Sequence, residues 1–328
     1  MRVLLVLLVV FVAGALPMLA GPRLLRDGSP RQLVLVSLGS LASMALGFVV
    51  VLGVLVDPSD LPATELPELV GRCVGAAGKI LDHPLAHWPR VLAALLLLAT
   101  IGRLAYVGIM TVRDAHREVR SIMRLTDVGA ERPGGVVVVR AEQPFAFAAG
   151  IIRRRIVVSQ GFYDALDAEA RSAVLAHERA HIKGWHAALV LFGRSVARAF
   201  SFLPPVRKAA DLLILGLELS ADETAARRVG DPMIVARALL DLAESSATRP
   251  THAPAATGGE ISTRIRRLTR GDHTRCRTSR IRSSLAVTIA GATLVILLAT
   301  LPASARTLTG PQEAQAVHAV CHLPHVSG

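Results

Sequence analysis

Cysteine is scarce in this sequence: its three copies stand far apart, at positions 73, 276 and 321. Because none of them belongs to a C-x-x-C pair, the sequence argues against a thioredoxin-type dithiol and against a zinc site built from thiolates. Aromatic residues are also few, at 4%, and acidic residues number 25 against 37 lysines and arginines. The resulting net charge of +12 comes without a helix-turn-helix, RNP or zinc-finger pattern, so we expect no direct nucleic-acid binding.

Hydrophobic residues are abundant by contrast, at 52% of the chain, and the mean hydropathy is +0.48. This composition is typical of an integral membrane protein. A spanning helix needs about 20 apolar residues, and four segments are long enough: 3–22, 32–56, 91–112 and 283–305. The first could instead be a cleaved signal peptide, since it ends in small residues. We favour a retained helix, because the flank after it is more basic than the flank before it.

The charges between these segments predict their orientation. The loop 23–31 carries three arginines, the loop 57–90 opens with acidic residues, and further arginines lie at both ends of 113–282. By the positive-inside rule, 23–31 and 113–282 lie in the cytoplasm, whereas 57–90 and both termini lie outside. We therefore expect a multi-pass protein of the cell membrane, with three helices within 1–112, a cytoplasmic domain and a short outer tail at 306–328.

The interpretation of four single residues depends on this orientation. Cys73 and Cys321 would both lie outside, where disulfides persist, whereas Cys276 would be cytoplasmic and reduced. A Cys73–Cys321 bridge is one hypothesis and two unrelated thiols is the other, because a sequence gives no distance between them. Arg103 interrupts the third apolar segment. We expect its charge to reach the cytoplasmic headgroups, with a functional charge inside the membrane as the alternative.

The segment between the third and fourth spans is long enough for one compact domain. It opens with a basic helix near 113–125, and β-rich stretches and then helical stretches follow, the first helix capped by Asp167. A stretch rich in small residues and proline at 245–260 predicts a loop. The predicted strands are 135–141, 144–150 and 154–159, and the predicted helices are 168–184, 187–203, 210–230 and 233–246.

The stretch "LAHERAHIKGWH" at 175–186 carries the strongest chemical signal in the chain. It contains His177, Glu178 and His181 in the spacing H-E-x-x-H. On a helix the two histidines lie one turn apart and point the same way, so both can bind one Zn²⁺. Glu178 lies too far round to be an ideal ligand, but it can hold a water molecule at the metal and take its proton. The spacing therefore predicts a catalytic site with one zinc ion per chain.

Two residues compete for the place of the third ligand. A three-histidine site would need a histidine where the sequence has Ala187, and His186 is one residue short of that position. Glu218 is the better candidate, because it shares a helix face with Asp222 and is bordered by apolar residues. Glu218 could complete a His₂Glu site, and Asp222 could fix the tautomer of a ligand histidine. The alternatives are an interfacial histidine beside Trp185 and two carboxylates on a solvated helix face.

From "PFAFAAGIIRRRIVVSQGFYDALDAEARSAVLAHERAHIKGWH" to "ELSADETAARR", over roughly 140–230, the chain resembles the membrane metallopeptidases of the β-lactam sensor-transducer (BlaR/MecR) type. It is similar, more distantly, to the HtpX and CAAX-prenyl-protease group. The spacing of His181 and Glu218, and a domain between the third and fourth spans, fit the sensor-transducer type better. The resemblance implies a mainly helical membrane protein with four transmembrane helices and a cytoplasmic α+β, zincin-like (gluzincin) peptidase domain that carries a small β-sheet.

The resemblance also assigns roles to individual residues. It implies that His177, His181 and Glu218 bind zinc. It implies further that Glu178 acts as the base and that Asp222 orients a ligand histidine.

A further implication is that an edge strand beside the zinc helix pairs with an extended peptide substrate. In this sequence that strand would present Phe145, Ala146 and Phe147, and an ordinary sheet strand is the alternative. Arg227 or Arg228 could stabilise the developing negative charge of the reaction, but an arginine pair is more often part of a solvated helix face.

The sequence departs from the sensor-transducer pattern after its last apolar segment. A penicillin-binding domain is not expected, since S-x-x-K and K-T-G are both absent. Any signal would then come from the outer loop, the tail, the lipid or a partner. We expect a zinc endopeptidase in the lipid bilayer that cleaves cytoplasmic or membrane proteins in regulatory proteolysis, with a transcriptional repressor as one substrate by analogy. The alternatives are a catalytically silent signalling scaffold and an HtpX-like quality-control protease.

Overall fold

The described part of the chain is mainly helical and carries one small sheet. The computed structural model describes residues 25, 29–56, 88–125, 128–132, 135–150, 154–246 and 258–270. The helices are α1 (Pro30–Val56), α2 (Trp88–Leu125), α3 (Gln160–Ala165), α4 (Ala168–Lys183), α5 (His186–Ala199), α6 (Pro204–Val229), α7 (Pro232–Ser246) and α8 (Gly258–Thr269). The predicted apolar segments 3–22 and 283–305, and the predicted Cys73–Cys321 bridge, lie outside the described residues.

Two of the predicted apolar segments form long helices, α1 and α2. By length and composition alone, α1 over Pro30–Gly53 and α2 over Trp88–Arg117 could cross a membrane. Much of the apolar surface of α2 points away from the rest of the protein, including Leu92, Leu95 and Leu98. An exposed apolar face of this kind favours a lipid or protein neighbour over water. α2 also continues without a break to Leu125, so the basic helix expected near 113–125 is the second half of this one helix.

The sheet has four strands in the order β1-β2-β4-β3. Its strands are β1 (Val128–Arg132), β2 (Val136–Val139), β3 (Ala146–Ala149) and β4 (Arg155–Ser159). β2 and β4 are parallel neighbours, and β1 and β3 pair antiparallel on the two sides. The runs of β-branched residues predicted β2 and β4, and the predicted strand at 144–150 contains β3. β1 was missed because "VGAER" has little strand character. β3 is therefore an edge strand of the described sheet.

Side-chain caps fix the start of the helices that follow the sheet. Ser159 ends β4, and its Oγ accepts a hydrogen bond from the Phe162 backbone N–H at 3.1 Å, which begins α3. Asp167 Oδ1 accepts from the Ala170 N–H at 2.7 Å and begins α4, which confirms the predicted cap. The apolar side of α4 packs on one face of the sheet and on α7, and together they form the largest core cluster.

α6 is the longest helix of the domain and packs along α1. It begins at Pro204, six residues before the predicted start at 210; proline suits the first turn of a helix, where its missing N–H is not needed. At Gly216 the two helices approach closely, since a Cβ there would lie 3.0 Å from Val34 Cγ2 and 3.3 Å from Leu33 Cγ. The C-terminal half of α6 consequently begins at the level of the first turns of α1.

Arg103 of α2 makes contacts within the protein that the sequence did not predict. Its Nε donates to the Ala199 carbonyl at 2.7 Å, and its Nη2 lies 3.3 Å from the Arg198 carbonyl and 3.4 Å from Ser201 Oγ. These are the unsatisfied carbonyls at the end of α5, where a positive charge is favourable. Arg103 thus ties α2 to the C-terminus of α5, and the position of its charge relative to the headgroups stays a prediction.

Candidate metal centre

The first part of the centre is a pair of imidazoles on α4. His177 and His181 lie one helical turn apart, and their Nε2 atoms are 3.0 Å from each other. Side chains at positions i and i+4 share a helix face, so the local sequence is sufficient to bring these two nitrogens together. His177 is buried and His181 is partly exposed, so the pair lies where the core meets the surface.

Glu218 joins this pair from α6. Its Oε2 lies 3.5 Å from His177 Nε2, and its Oε1 lies 3.6 Å from His181 Nε2. One ligand atom from each of the three residues falls within 4.8 Å of the others, and no second group of this kind occurs in the part of the chain that the structure describes.

The donor atoms of His177, His181 and Glu218 match the geometry of a zinc site. In a tetrahedral site with bonds of 2.0–2.1 Å, neighbouring ligand atoms are separated by roughly 3.3 Å. The two nitrogens here are 3.0 Å apart, and His177 and His181 lie 3.5 and 3.6 Å from the Oε2 and the Oε1 of Glu218, so these distances lie on either side of that value. Two imidazole nitrogens and one carboxylate, with a fourth position left for water, are also the donors that catalytic zinc sites use. These residues therefore fit a zinc ion with little rearrangement.

The outer nitrogens of both histidines have their own neighbours. His177 Nδ1 lies 3.0 Å from Asp222 Oδ1, but it is not aligned for a hydrogen bond, so the contact is mainly electrostatic. His181 Nδ1 lies 2.9 Å from Nδ1 of His186. Because these contacts engage the outer nitrogens, both Nε2 atoms are directed at Glu218. His186, the rival third ligand, thus lies behind His181 and not beside the other two donors.

Arg264 of α8 is a member of the centre that the sequence did not reveal. Its Nε and Nη2 donate to the two oxygens of Asp222, each at 2.7 Å, and its Nη1 lies 3.0 Å from Glu218 Oε2. The pairing with Asp222 is bidentate, and both side chains are almost fully buried. A single guanidinium therefore holds Glu218 and Asp222, the two carboxylates that α6 contributes to the centre, in place.

One sequence signal for Arg264 existed but was overlooked. In "EISTRIRRL" the apolar residues Ile261, Ile265 and Leu268 recur at helical spacing. Arg264 lies on the same face, three residues after the first and one before the second. An arginine on the apolar face of an amphipathic helix needs a buried partner. This signal was outweighed by the many arginines around Arg264, which indicate the basic flank of a membrane span.

The remaining acidic residue, Glu178, faces the edge of the sheet. Its Oε2 accepts a hydrogen bond from the Ala148 backbone N–H at 2.7 Å. Glu178 is buried, and it adjoins His177 on α4 without belonging to the ligand triangle. The carboxylate thus lies between the candidate metal position and β3, where a general base for the reaction is required.

The electrostatics of the metal-free centre favour one buried positive histidine. Burial lowers the pKa of His177, but the contacts and negative charges of Asp222 and Glu218 outweigh it and raise that pKa to about 10. Burial raises the pKa of Glu218, but His177, Arg264 and His181 outweigh it, so its pKa lies well below the usual value. The pKa of Asp222 is likewise lowered, since Arg264 and His177 outweigh the effect of burial.

The pKa values of the other groups shift in the directions that a metal site needs. Burial raises the pKa of Glu178 to about 7, with Glu218 adding to the rise and His177 opposing it. Burial and the charge of His177 lower the pKa of His181 to about 3. Burial also lowers the pKa of His186, so both of these histidines are neutral at physiological pH. A neutral imidazole is the form that binds a metal.

The edge strand presents a different set of groups from the one predicted. Phe145 turns its backbone toward β4, because its carbonyl accepts from the Ser159 N–H at 3.0 Å and its own N–H donates to Ser159 Oγ at 2.9 Å. By the antiparallel alternation, Phe147 also turns its backbone toward β4. The outward-facing backbone groups are those of Ala146 and Ala148. Of the predicted substrate residues, only Ala146 therefore offers its backbone at the free edge, and Ala148 was missed.

The two arginines proposed to stabilise negative charge lie on a solvated helix face. Arg227 is exposed, with its Nη1 3.1 Å from Glu223 Oε1 and its Nη2 3.2 Å from Thr224 Oγ1. Arg228 is exposed as well. Within the described ranges, the guanidinium that contacts the carboxylates of the centre is that of Arg264.

Comparison with known proteins supports the chemistry suggested by this geometry. Residues 111–213 match the profile of peptidase family M48. The matched segment contains His177, Glu178 and His181 and ends before Glu218. No curated protein and no solved structure matches the chain. The match supports a metallopeptidase of family M48; it does not single out the BlaR/MecR type.

Proposed function

We propose that this protein is a membrane-embedded, zinc-dependent endopeptidase that cleaves cytoplasmic or membrane proteins. The observation that carries the proposal is the convergence of His177 Nε2, His181 Nε2 and the Glu218 carboxylate within 4.8 Å, beside a buried glutamate at a sheet edge. The M48 match over residues 111–213 supports the same reaction class.

The division of labour follows from the contacts of each group. When bound, zinc would act as a Lewis acid that polarises the scissile carbonyl and activates a water molecule. Glu178 is placed to take a proton, because the Ala148 N–H engages its Oε2 and leaves Oε1 as the oxygen that accepts the proton. Its pKa of about 7 suits a group that must accept a proton and then release it at neutral pH. Asp222 and Arg264 hold His177 and Glu218 in position.

The substrate, in this proposal, binds as an extra strand against β3. The outward N–H and carbonyl groups of Ala146 and the outward carbonyl of Ala148 would pair with an extended peptide. This placement brings the peptide next to Glu178, whose carboxylate already contacts the same edge. Small side chains at Ala146 and Ala148 leave room for the side chains of the peptide.

The membrane placement is a proposal that α1 and α2 support. Both are long and apolar enough to span, and α6, which carries Glu218, packs against the first turns of α1. With the basic flank of α1 on the cytoplasmic side, the metal centre would lie near the inner membrane surface. Substrates there would include membrane-proximal segments and soluble regulators such as a transcriptional repressor.

Metal content and proteolysis of the full chain, purified in detergent, test the proposal. We expect about one zinc per chain, with cleavage of casein or of the protein itself. Glu178→Gln should keep the zinc and lose activity by about 10²- to 10⁴-fold, and Glu218→Ala should lose the zinc. Glu223→Ala, on the same helix but paired with Arg227, is the matched control and should keep both.

The outcomes separate the alternatives. Zinc retained in Glu218→Ala would mean that the third ligand is wrongly assigned. Full zinc with equal activity in the wild type and Glu178→Gln would refute the catalytic role and favour a signalling scaffold. Comparing new protein N-termini in membranes with the wild type or Glu178→Gln then separates regulatory cleavage, which gives a few defined products, from quality control, which gives many.

A further inference from the structure

His186 contacts the centre from an unexpected side. It begins α5, immediately after the turn of Gly184 and Trp185 that ends α4. Its Nδ1 lies 2.9 Å from His181 Nδ1, and the two rings meet edge to face at 88° with centroids 4.7 Å apart. His186 is buried. The ligand atom of His181, Nε2, is on the opposite side of the same ring.

The turn before His186 is built so that its ring fits. A Cβ on Gly184 would lie 2.4 Å from His186 Nε2 and 2.5 Å from its Cδ2, so a larger residue at 184 would displace the ring. Trp185 adopts a left-handed backbone conformation, with φ of 55°. Arg154 stacks 3.9 Å above the Trp185 ring and donates to the Ile182 carbonyl, which fixes the turn to the end of the sheet.

We propose that His186 is a positioning residue that orients the ligand His181. The His181 Nδ1–H donates to His186 Nδ1, which leaves the lone pair of His181 Nε2 free for the metal. His186 therefore carries its own proton on Nε2. Asp222 has the corresponding position behind His177, so each ligand histidine has one partner. The inference rests on the zinc site proposed above and adds that the partner of His181 is the last histidine of "HERAHIKGWH".

Three substitutions of the full chain test this role, because they differ in where they place an acceptor. His186→Phe keeps a ring of similar size but has no acceptor. In His186→Asn an acceptor oxygen can occupy the position of Nδ1, and in His186→Gln it would occupy the position of Nε2 instead. Zinc affinity is measured by competition with a chromogenic chelator, and the visible absorption bands of the Co²⁺-substituted protein report the coordination geometry. Thermal unfolding of the metal-free forms reports packing.

We expect the Phe and Gln variants to bind zinc about 10- to 100-fold more weakly than the wild type, and the Asn variant within roughly threefold of it. The Co²⁺ bands should shift in the Phe variant and be restored in the Asn variant. Zinc affinity and Co²⁺ bands unchanged in the Phe variant would overturn the proposal. So would equal weakening in all three variants in proportion to lost thermal stability, because this would indicate packing alone. A wild type that binds no zinc would instead refute the proposed function itself.

Discussion

Removing Arg264 is the sharpest test of how the centre is assembled, because it lies 42 residues beyond Asp222 in the sequence and contacts both Asp222 and Glu218. In Arg264→Met, the Asp222 carboxylate loses two hydrogen bonds of 2.7 Å each. That carboxylate is 2% exposed, so water cannot replace the lost partner. Met preserves most of the volume of the arginine stem and confines the change to the guanidinium.

The expected cost follows from the burial of the pair. Removing one partner of a buried ion pair costs about 3–5 kcal/mol in the free energy of unfolding, because a buried charge loses its partner. The positive His177, 3.0 Å from Asp222, compensates only part of that charge. Since both side chains are almost fully buried, the discount that applies to exposed pairs does not apply here. At about 2 °C per kcal/mol for a chain of this length, the metal-free protein should unfold roughly 6–10 °C earlier.

The assay is thermal unfolding in detergent and chelator at one fixed scan rate. Arg266→Met, an exposed arginine on the same helix, is the control and should unfold within about 1 °C of the wild type. The double variant Asp222→Asn with Arg264→Met should be less destabilised than the sum of the two single variants, because the buried charge is then gone as well. Equal unfolding temperatures for Arg264→Met and Arg266→Met would refute the assembly of α8 onto the centre.

Two further predictions concern the metal and the substrate. In metal-free protein the pKa of His177 is raised from 6.5 to about 10, so zinc binding at pH 8 should release about one proton. The zinc affinity should therefore rise with pH until the pH reaches the pKa of His177. Calorimetry in buffers of different ionisation enthalpy measures the proton release, and an affinity independent of pH above 7 would contradict the shift. Ala146→Pro removes an outward N–H while the pairing of β3 with β4 stays possible, so we expect a higher KM for peptide substrates with unchanged zinc content. An unchanged KM would argue against strand addition at this edge.

Several features could be predicted because they depend only on neighbouring residues. The spacing of His177 and His181 fixes their common face on any helix, and Asp167 caps α4 through a bond to a residue three positions on. The valine runs of β2 and β4 predicted strands for the same local reason. The pairing of Glu218 with these histidines was also inferred from local features, namely its spacing from Asp222 and the apolar residues around it.

Other features depended on contacts that no short stretch of sequence contains. The Ala148 N–H that holds Glu178 is a backbone group, and its direction is decided by how β3 pairs with β4. The direction of His186 depends on a left-handed turn at Trp185, so the spacing of the histidines along the sequence did not show that it lies behind His181. Arg264 reaches Asp222 only because α8 docks against α6.

The sequence by itself thus indicated the type of chemistry: a helix with two histidines and a glutamate in metal-binding spacing, a second carboxylate-bearing helix and long apolar segments, all properties of residue type and local spacing. The tertiary structure decided which groups support that chemistry. A buried guanidinium, an edge N–H and a second imidazole are each weak signals in a sequence, because their energy depends on a partner brought within about 3 Å by packing. Only the fold specifies such distances, and it brings Arg264, Ala148 and His186 to the carboxylates and imidazoles of one centre.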